Sequence, residues 1–220
     1  KQPKKISLAI VAASKQGKVV FHAGEIHYST ANLLHGNISD IESGSRGQLN
    51  AICKKYNITL NNLQNRLNSF SDSKLIVIGD TIVDNYVACD ALGMSAEAPV
   101  LVVKELENRE FIGGASIVAS HVAALGANCH YISVVGEDAL AKMVEKVLTD
   151  RGIESSLVID PSRPTTYKTR YMVENQKLFR VSKIKDHKIS KVVEQEIVAQ
   201  LNKLAPNVDG ILVSDFVYGV

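Results

Sequence analysis

Three stretches of the chain set chemically useful residues beside short apolar runs. In "GDTIVD", Asp80 and Asp84 follow directly on the apolar run "KLIVI". A carboxylate at such a position can accept hydrogen bonds from two neighbouring hydroxyls, the grip that a sugar needs. Asp80 could equally do no more than cap a turn. In "EFIGGASIVASHVAALGAN", Gly113 and Gly114 precede a run of small apolar residues. A glycine pair costs backbone entropy and begins a helix poorly, so something must come close to this backbone. Without Cβ atoms the chain can approach a ligand, with free N–H groups pointing outward at a helix start. A tight turn and close helix–sheet packing would use the pair just as well. Neither a Walker loop nor a dinucleotide fingerprint is present. In "SDFVYG", Asp215 ends an apolar run; it could meet a metal-bound phosphate through water, touch a hydroxyl, or cap the turn. Lys168 and Arg170 alternate in "TTYKTRYMV" and so share one strand face. Both could reach a phosphate, or both could be solvated.

The remaining chemistry-bearing residues narrow the function. The six histidines show no ligand spacing, and no metal site is expected from them. Cys53, Cys89 and Cys129 are odd in number and far apart, which suits reduced thiols in a cytoplasm. The net charge is +2 with Lys and Arg scattered, which gives no footprint for nucleic acid or a membrane surface. No apolar run approaches the roughly 18–20 residues that cross a bilayer. "KKISLAIVAAS" has a basic start and an apolar core but no cleavage region, and "KQGKVVF" continues as turn and strand. A cytoplasmic protein is expected.

These residues need elements to hold them, and the chain divides into two regions. Residues 1–70 open with strand-like runs, Ile6–Ala12 and Val19–Phe21. Ser29 and Thr30 are placed as helix N-caps before Leu33 and Leu34. Two amphipathic helices follow, with Leu49, Ile52, Cys53 and Tyr56 on one face and Leu60, Leu63, Leu67 and Phe70 on another. The polar "SDSK" then reads as a connector. Residues 71–220 alternate strands with helices, which predicts a three-layer, doubly wound, mostly parallel sheet. Its ligands belong at the carboxyl ends of the strands. Residues 115–125 read as a helix apolar on all sides and therefore buried. Asp138 and Ser190 are placed to cap helices, and Gly152 to end one. Hairpins over 100–111 and 166–183 are too polar for that sheet and predict a separate small β lid. The chain starts at Lys1 without Met and stops after a strand-and-glycine segment, which reads as a piece of a longer protein.

Several of these motifs, in order over residues 74–220, resemble the ribokinase-like (PfkB) carbohydrate kinases, and among them the heptose-7-phosphate kinases of bifunctional ADP-heptose synthesis enzymes. "GGASIVASHVAALGANCHYISVVG" is similar to the family's first signature, with Gly126 and Gly136 at the expected distances from the glycine pair. "VIGDTIVDNY" resembles a "GDxxxDxY" opening, "SAEAPVLVV" a "SPEAPVPVV" segment, "PTTYKTRYMVENQKLFRV" a Thr–Lys–Arg lid hairpin, and "VSDFVYG" an "SDYxKG" turn. The resemblance implies transfer of a phosphoryl group from Mg²⁺-ATP to a sugar hydroxyl. It implies Asp84 against sugar hydroxyls, and Gly113 and Gly114 lining the sugar. Lys168 and Arg170 would lie near the lid and a substrate phosphate, and Asp215 near the transfer site. A small-molecule sugar phosphate is the implied partner, with a homodimer formed through the β lid. The family's base lies in a later "GxGD" motif that this sequence does not contain, so no catalytic base is expected here. Two residues depart from the pattern: Ile117 stands where the signature has Asn, and Tyr218 where "SDYxKG" has Lys. Those departures favour the alternative of a catalytically silent sugar-phosphate-binding or regulatory protein on the same fold. "VVFHAGEIHYSTANLLHGNI" is similar to the end of cytidylyltransferase-like nucleotidyltransferase domains, which would put Ser29 and Thr30 beside nucleotide phosphates.

Overall fold

A computed structural model describes residues 38–174, 176–185 and 187–219. Ser29, Thr30 and the strands expected near the start lie outside the described residues. The chain divides into two compact units between Thr59 and Leu60. In the first, helix α1 spans Ile38–Lys55. The second begins with α2 (Leu60–Asn68), which buries none of its residues. A 3₁₀ turn, Ser69–Asp72, follows it, and only Phe70 of the expected apolar face packs against the core.

Four parallel strands form the main sheet: β1 (Lys74–Gly79), β4 (Asn128–Val135), β5 (Glu154–Ile159) and β8 (Gly210–Ser214). Their order is β5-β4-β1-β8. Helices α3 (Ala115–Ala124) and α4 (Ala139–Asp150) share one core with this sheet, built on Val77, Tyr131, Ala119, Val122, Val144 and Leu148. Helix α5 (Lys191–Leu204) closes the other core through Val193 and Ile197 against Ile76, Ile132 and Val158. Both faces of the sheet are thus covered, which is why its strands read as unbroken apolar runs. Asp138 accepts from the Ala141 N–H at 3.0 Å, and Ser190 from the Val193 N–H at 3.3 Å, so both expected caps are present. Helix α3 is not buried all round: Ile117, His121 and Ala124 lie on an exposed face.

The second sheet has the order β3-β2-β6-β7. It comprises β2 (Thr81–Met94), β3 (Leu101–Gly114), β6 (Thr166–Val173) and β7 (Gln176–Lys183). The expected lid is therefore a separate sheet, and the hairpin over 166–183 is present. The other hairpin is larger than expected. Residues 100–111 do not fold back on themselves; Leu101–Gly114 is one strand paired antiparallel with Thr81–Met94. The stretch after Gly79 is thus the central lid strand, and Asp84 sits within it.

Candidate functional site

The lid strands alternate, and their pairing decides which residues meet. Across β2 and β6, Asp84 faces Lys168 and Tyr86 faces Arg170. Across β2 and β3, Asp84 faces Phe111 and Ile82 faces Gly113. One face of the lid thus gathers Asp84, Tyr86, Phe111, Lys168 and Arg170. Asp84 takes its ion pair on the diagonal, accepting from Arg170 Nη1, and not from its direct partner Lys168. The Arg170 guanidinium also lies 5.1 Å from the Tyr86 ring centre, and that ring meets Phe111 edge-on at 5.9 Å. A carboxylate, two cations and aromatic faces on one surface suit a polyhydroxylated ring carrying an anion.

The glycine pair lies against this surface. A Cβ on Gly113 would stand 2.6 Å from Asp84 Oδ2. At Gly114, with φ +62°, a Cβ would come within 2.4 Å of the Asp80 carbonyl oxygen, which accepts from the Ala115 N–H at 2.9 Å. The close approach demanded by these glycines is therefore made by the chain's own acidic segment. Ile117 faces elsewhere, lining an open groove with Ser120, His121, Ala124 and Arg151 that includes none of Asp84, Lys168 or Arg170.

Asp80 is 2% exposed, and its Oδ2 accepts from the Phe216 N–H at 2.7 Å and the Tyr218 N–H at 3.2 Å. It ties the end of β1 to the turn after β8. Asp215 in that turn is exposed, and its Oδ1 accepts from the Val217 N–H at 2.6 Å. The Tyr218 ring then covers Lys168, whose Nζ lies 4.6 Å from the ring centre. Asp80, Asp84, Gly113, Gly114, Lys168 and Arg170 are thus joined through the lid face and the turn that Asp215 opens.

Sequence reasoning missed Arg163. It is 9% exposed and paired with Asp160 at 2.9 Å. Its Nη1 donates to the Tyr218 carbonyl at 2.6 Å, and Nη2 to the His187 carbonyl at 2.7 Å. Burial works against the charged form of Asp160, but hydrogen bonds from Ser162 and Arg163 outweigh it and hold the carboxyl below its ordinary value. Asp138 is held low in the same way: burial raises its carboxyl, while Thr165 and the helix N–H groups bring it down further. Among the described residues no group of three or more His, Cys, Asp or Glu side chains could hold a metal ion. No described helix is long and apolar enough to cross a membrane.

Residues 72–209 match the pfkB family carbohydrate kinases. The bifunctional protein HldE of Bradyrhizobium diazoefficiens is 36% identical over 155 residues, covering 69% of this chain and 31% of that protein. Its counterpart from Campylobacter jejuni (strain RM1221) is 32% identical over 148 residues, covering 67% and 30%. The chain thus spans about 30% of the length of the curated relatives it matches. The solved structure of Sa239 is 18% identical with a TM-score of 0.50, covering 64% of this chain and 45% of that one, a likeness of fold. With residues 72–209 matched and the lid, parallel sheet and glycine pair in place, this chain belongs to the pfkB family of carbohydrate kinases.

Proposed function

We propose that this chain supplies the sugar-binding half of an ATP-dependent carbohydrate kinase acting on a heptose 7-phosphate or a close relative. The full-length protein would be a bifunctional kinase–nucleotidyltransferase that makes a nucleotide-activated sugar for cell-surface glycan. The lid face carries this reading: Asp84, fixed by Arg170 and pressed against Gly113, is aimed as a hydroxyl acceptor beside Lys168. Similarity to bifunctional HldE proteins supports the substrate class. Phosphoryl transfer needs a base for the attacking hydroxyl and donors for the charge on the phosphoryl oxygens. No "GxGD" occurs in this sequence, so both would come from elsewhere in the longer protein. Mg²⁺ would arrive with ATP as co-substrate. Among the described residues strand β8 pairs only with β1 and exposes Ile211, Leu212 and Val213, the edge where the sheet would continue. Ser29 and Thr30 would serve the nucleotidyltransferase, and a homodimer would form through the lid.

Tyr218, which stands where the resembled turn has Lys, favours a second reading, a silent sugar-phosphate-binding protein on the same fold; Ile117, facing the other groove, no longer bears on it. A kinase screen of the full-length protein against heptose and hexose phosphates separates the two. The expected result is ADP formation dependent on heptose 7-phosphate, abolished by Asp84→Ala with ATP binding intact. Turnover unchanged in that variant would place the sugar elsewhere, and no turnover with any sugar phosphate would leave the silent reading.

A further inference from the structure

The two lid cations are not equivalent. Arg170 is matched by the Asp84 carboxylate, so its charge is largely spent within the protein. Lys168 is 7% exposed, yet among the described residues it has no carboxylate partner. Its contact is the Tyr218 ring. A ring face attracts an ammonium without cancelling its charge, whereas a carboxylate would compete with any incoming anion. A desolvated cation left unmatched in this way favours an anionic ligand strongly.

Tyr218 is itself held in place. Its N–H is taken by the buried carboxylate of Asp80, and its carbonyl by the buried guanidinium of Arg163. The next residue, Gly219, has φ +114°, and a Cβ there would stand 2.8 Å from Arg163 Nη1. The ring is thus presented to Lys168 by a backbone fixed from both sides.

Building on the proposed function, we infer that Tyr218 is a specificity-determining residue: by holding Lys168 on a neutral ring face, it keeps that ammonium as the uncompensated cation that selects a sugar bearing a phosphate-class substituent. Arg170 positions Asp84 for hydroxyls, and Lys168 with Tyr218 reads the anion.

The test uses isothermal titration calorimetry on the intact protein with heptose 7-phosphate, the unphosphorylated heptose, and inorganic phosphate alone. Tyr218→Phe keeps the ring and is expected to bind all three as wild type does. Tyr218→Leu is expected to lose about tenfold for the phosphorylated sugar, the scale of a desolvated cation–π contact, with the plain sugar unchanged. Phosphate alone should weaken in parallel. Equal losses for both sugars in Tyr218→Leu would reduce Tyr218 to a structural part, and no loss would overturn its role while leaving the sugar-phosphate reading intact. Wild-type protein that binds heptose 7-phosphate no better than heptose overturns the inference and the proposed substrate together. Circular dichroism melts of both variants confirm that folded protein is compared.

Discussion

Gly113 and Gly114 are adjacent but answer to different constraints. At Gly114 both the positive φ and the Asp80 carbonyl oxygen, 2.4 Å from where a Cβ would stand, forbid a side chain. Backbone cannot retreat cheaply, so Gly114→Ala should destabilise the fold by about 2–3 kcal/mol, read as a lowered denaturation midpoint. At Gly113 the obstacle is Asp84 Oδ2, the far end of a side chain that can swing away. Gly113→Ala should therefore keep most of the stability and lose sugar binding instead, because Asp84 leaves its place beside Arg170. Calorimetry and melts on the two variants together check this split; equal melting losses would refute it. The need for a close approach was legible in the glycine pair, but what makes the approach was not. Arg163 was not legible at all. In "DPSRP" it looks like a solvated turn residue, and only the fold brings it to a carbonyl 55 residues away.

At the scale of elements, the junction from β1 into β2 decides whether the lid is aimed at the sheet. A buried hydroxyl chain fixes it: Tyr131 and Thr81 meet at 2.8 Å, Thr81 Oγ1 donates to Ser133 Oγ at 2.8 Å, and Ser133 donates to the Gly79 carbonyl at 2.6 Å. Burial pushes the Tyr131 phenol up, which keeps it a neutral donor in this chain. Thr81→Val keeps the shape of the side chain and removes the Thr81 Oγ1 link between the Tyr131 and Ser133 hydroxyls. It should cost about 1–3 kcal/mol in denaturant titration, whereas Thr81→Ser should cost much less. The parallel strands and capped helices were plain in the sequence because burial on both faces leaves continuous apolar runs. Strand β2 was hidden for the opposite reason. Asp84 and Asn85 are poor strand formers: Asp84 lies on the face with Lys168 and Arg170, while Asn85 points to the opposite, buried side. The long pairing with β3 was hidden with it, since its partner lies 20 or more residues away at the lid base.

For the unit as a whole, two low-lying carboxylates join parts that the chain order keeps apart. Asp138, at the start of α4, accepts from the Thr165 N–H and hydroxyl, both at 2.8 Å, just ahead of the lid strand β6. Asp160, at the end of β5, holds Arg163 and through it the turn that carries Tyr218. Both carboxyls give up their proton more readily in the folded chain than their ordinary value of 3.8 allows. Their contribution is therefore complete above about pH 4, and it is lost as the pH falls through 3.8 toward the depressed folded values. Stability measured by urea titration should decline steeply over that acid range. In Asp160→Asn the slope should flatten, with lower stability at pH 7, because Arg163 loses its buried counter-charge; a loss of about 3 kcal/mol is the expected scale. Asp138→Asn should flatten the slope through the other clamp. The two residues act on different partners, so the double variant should remove the sum of the two slopes. A wild-type acid slope surviving in the double variant would mean that other carboxylates carry the acid sensitivity, and that the union of lid and sheet does not depend on these two charges.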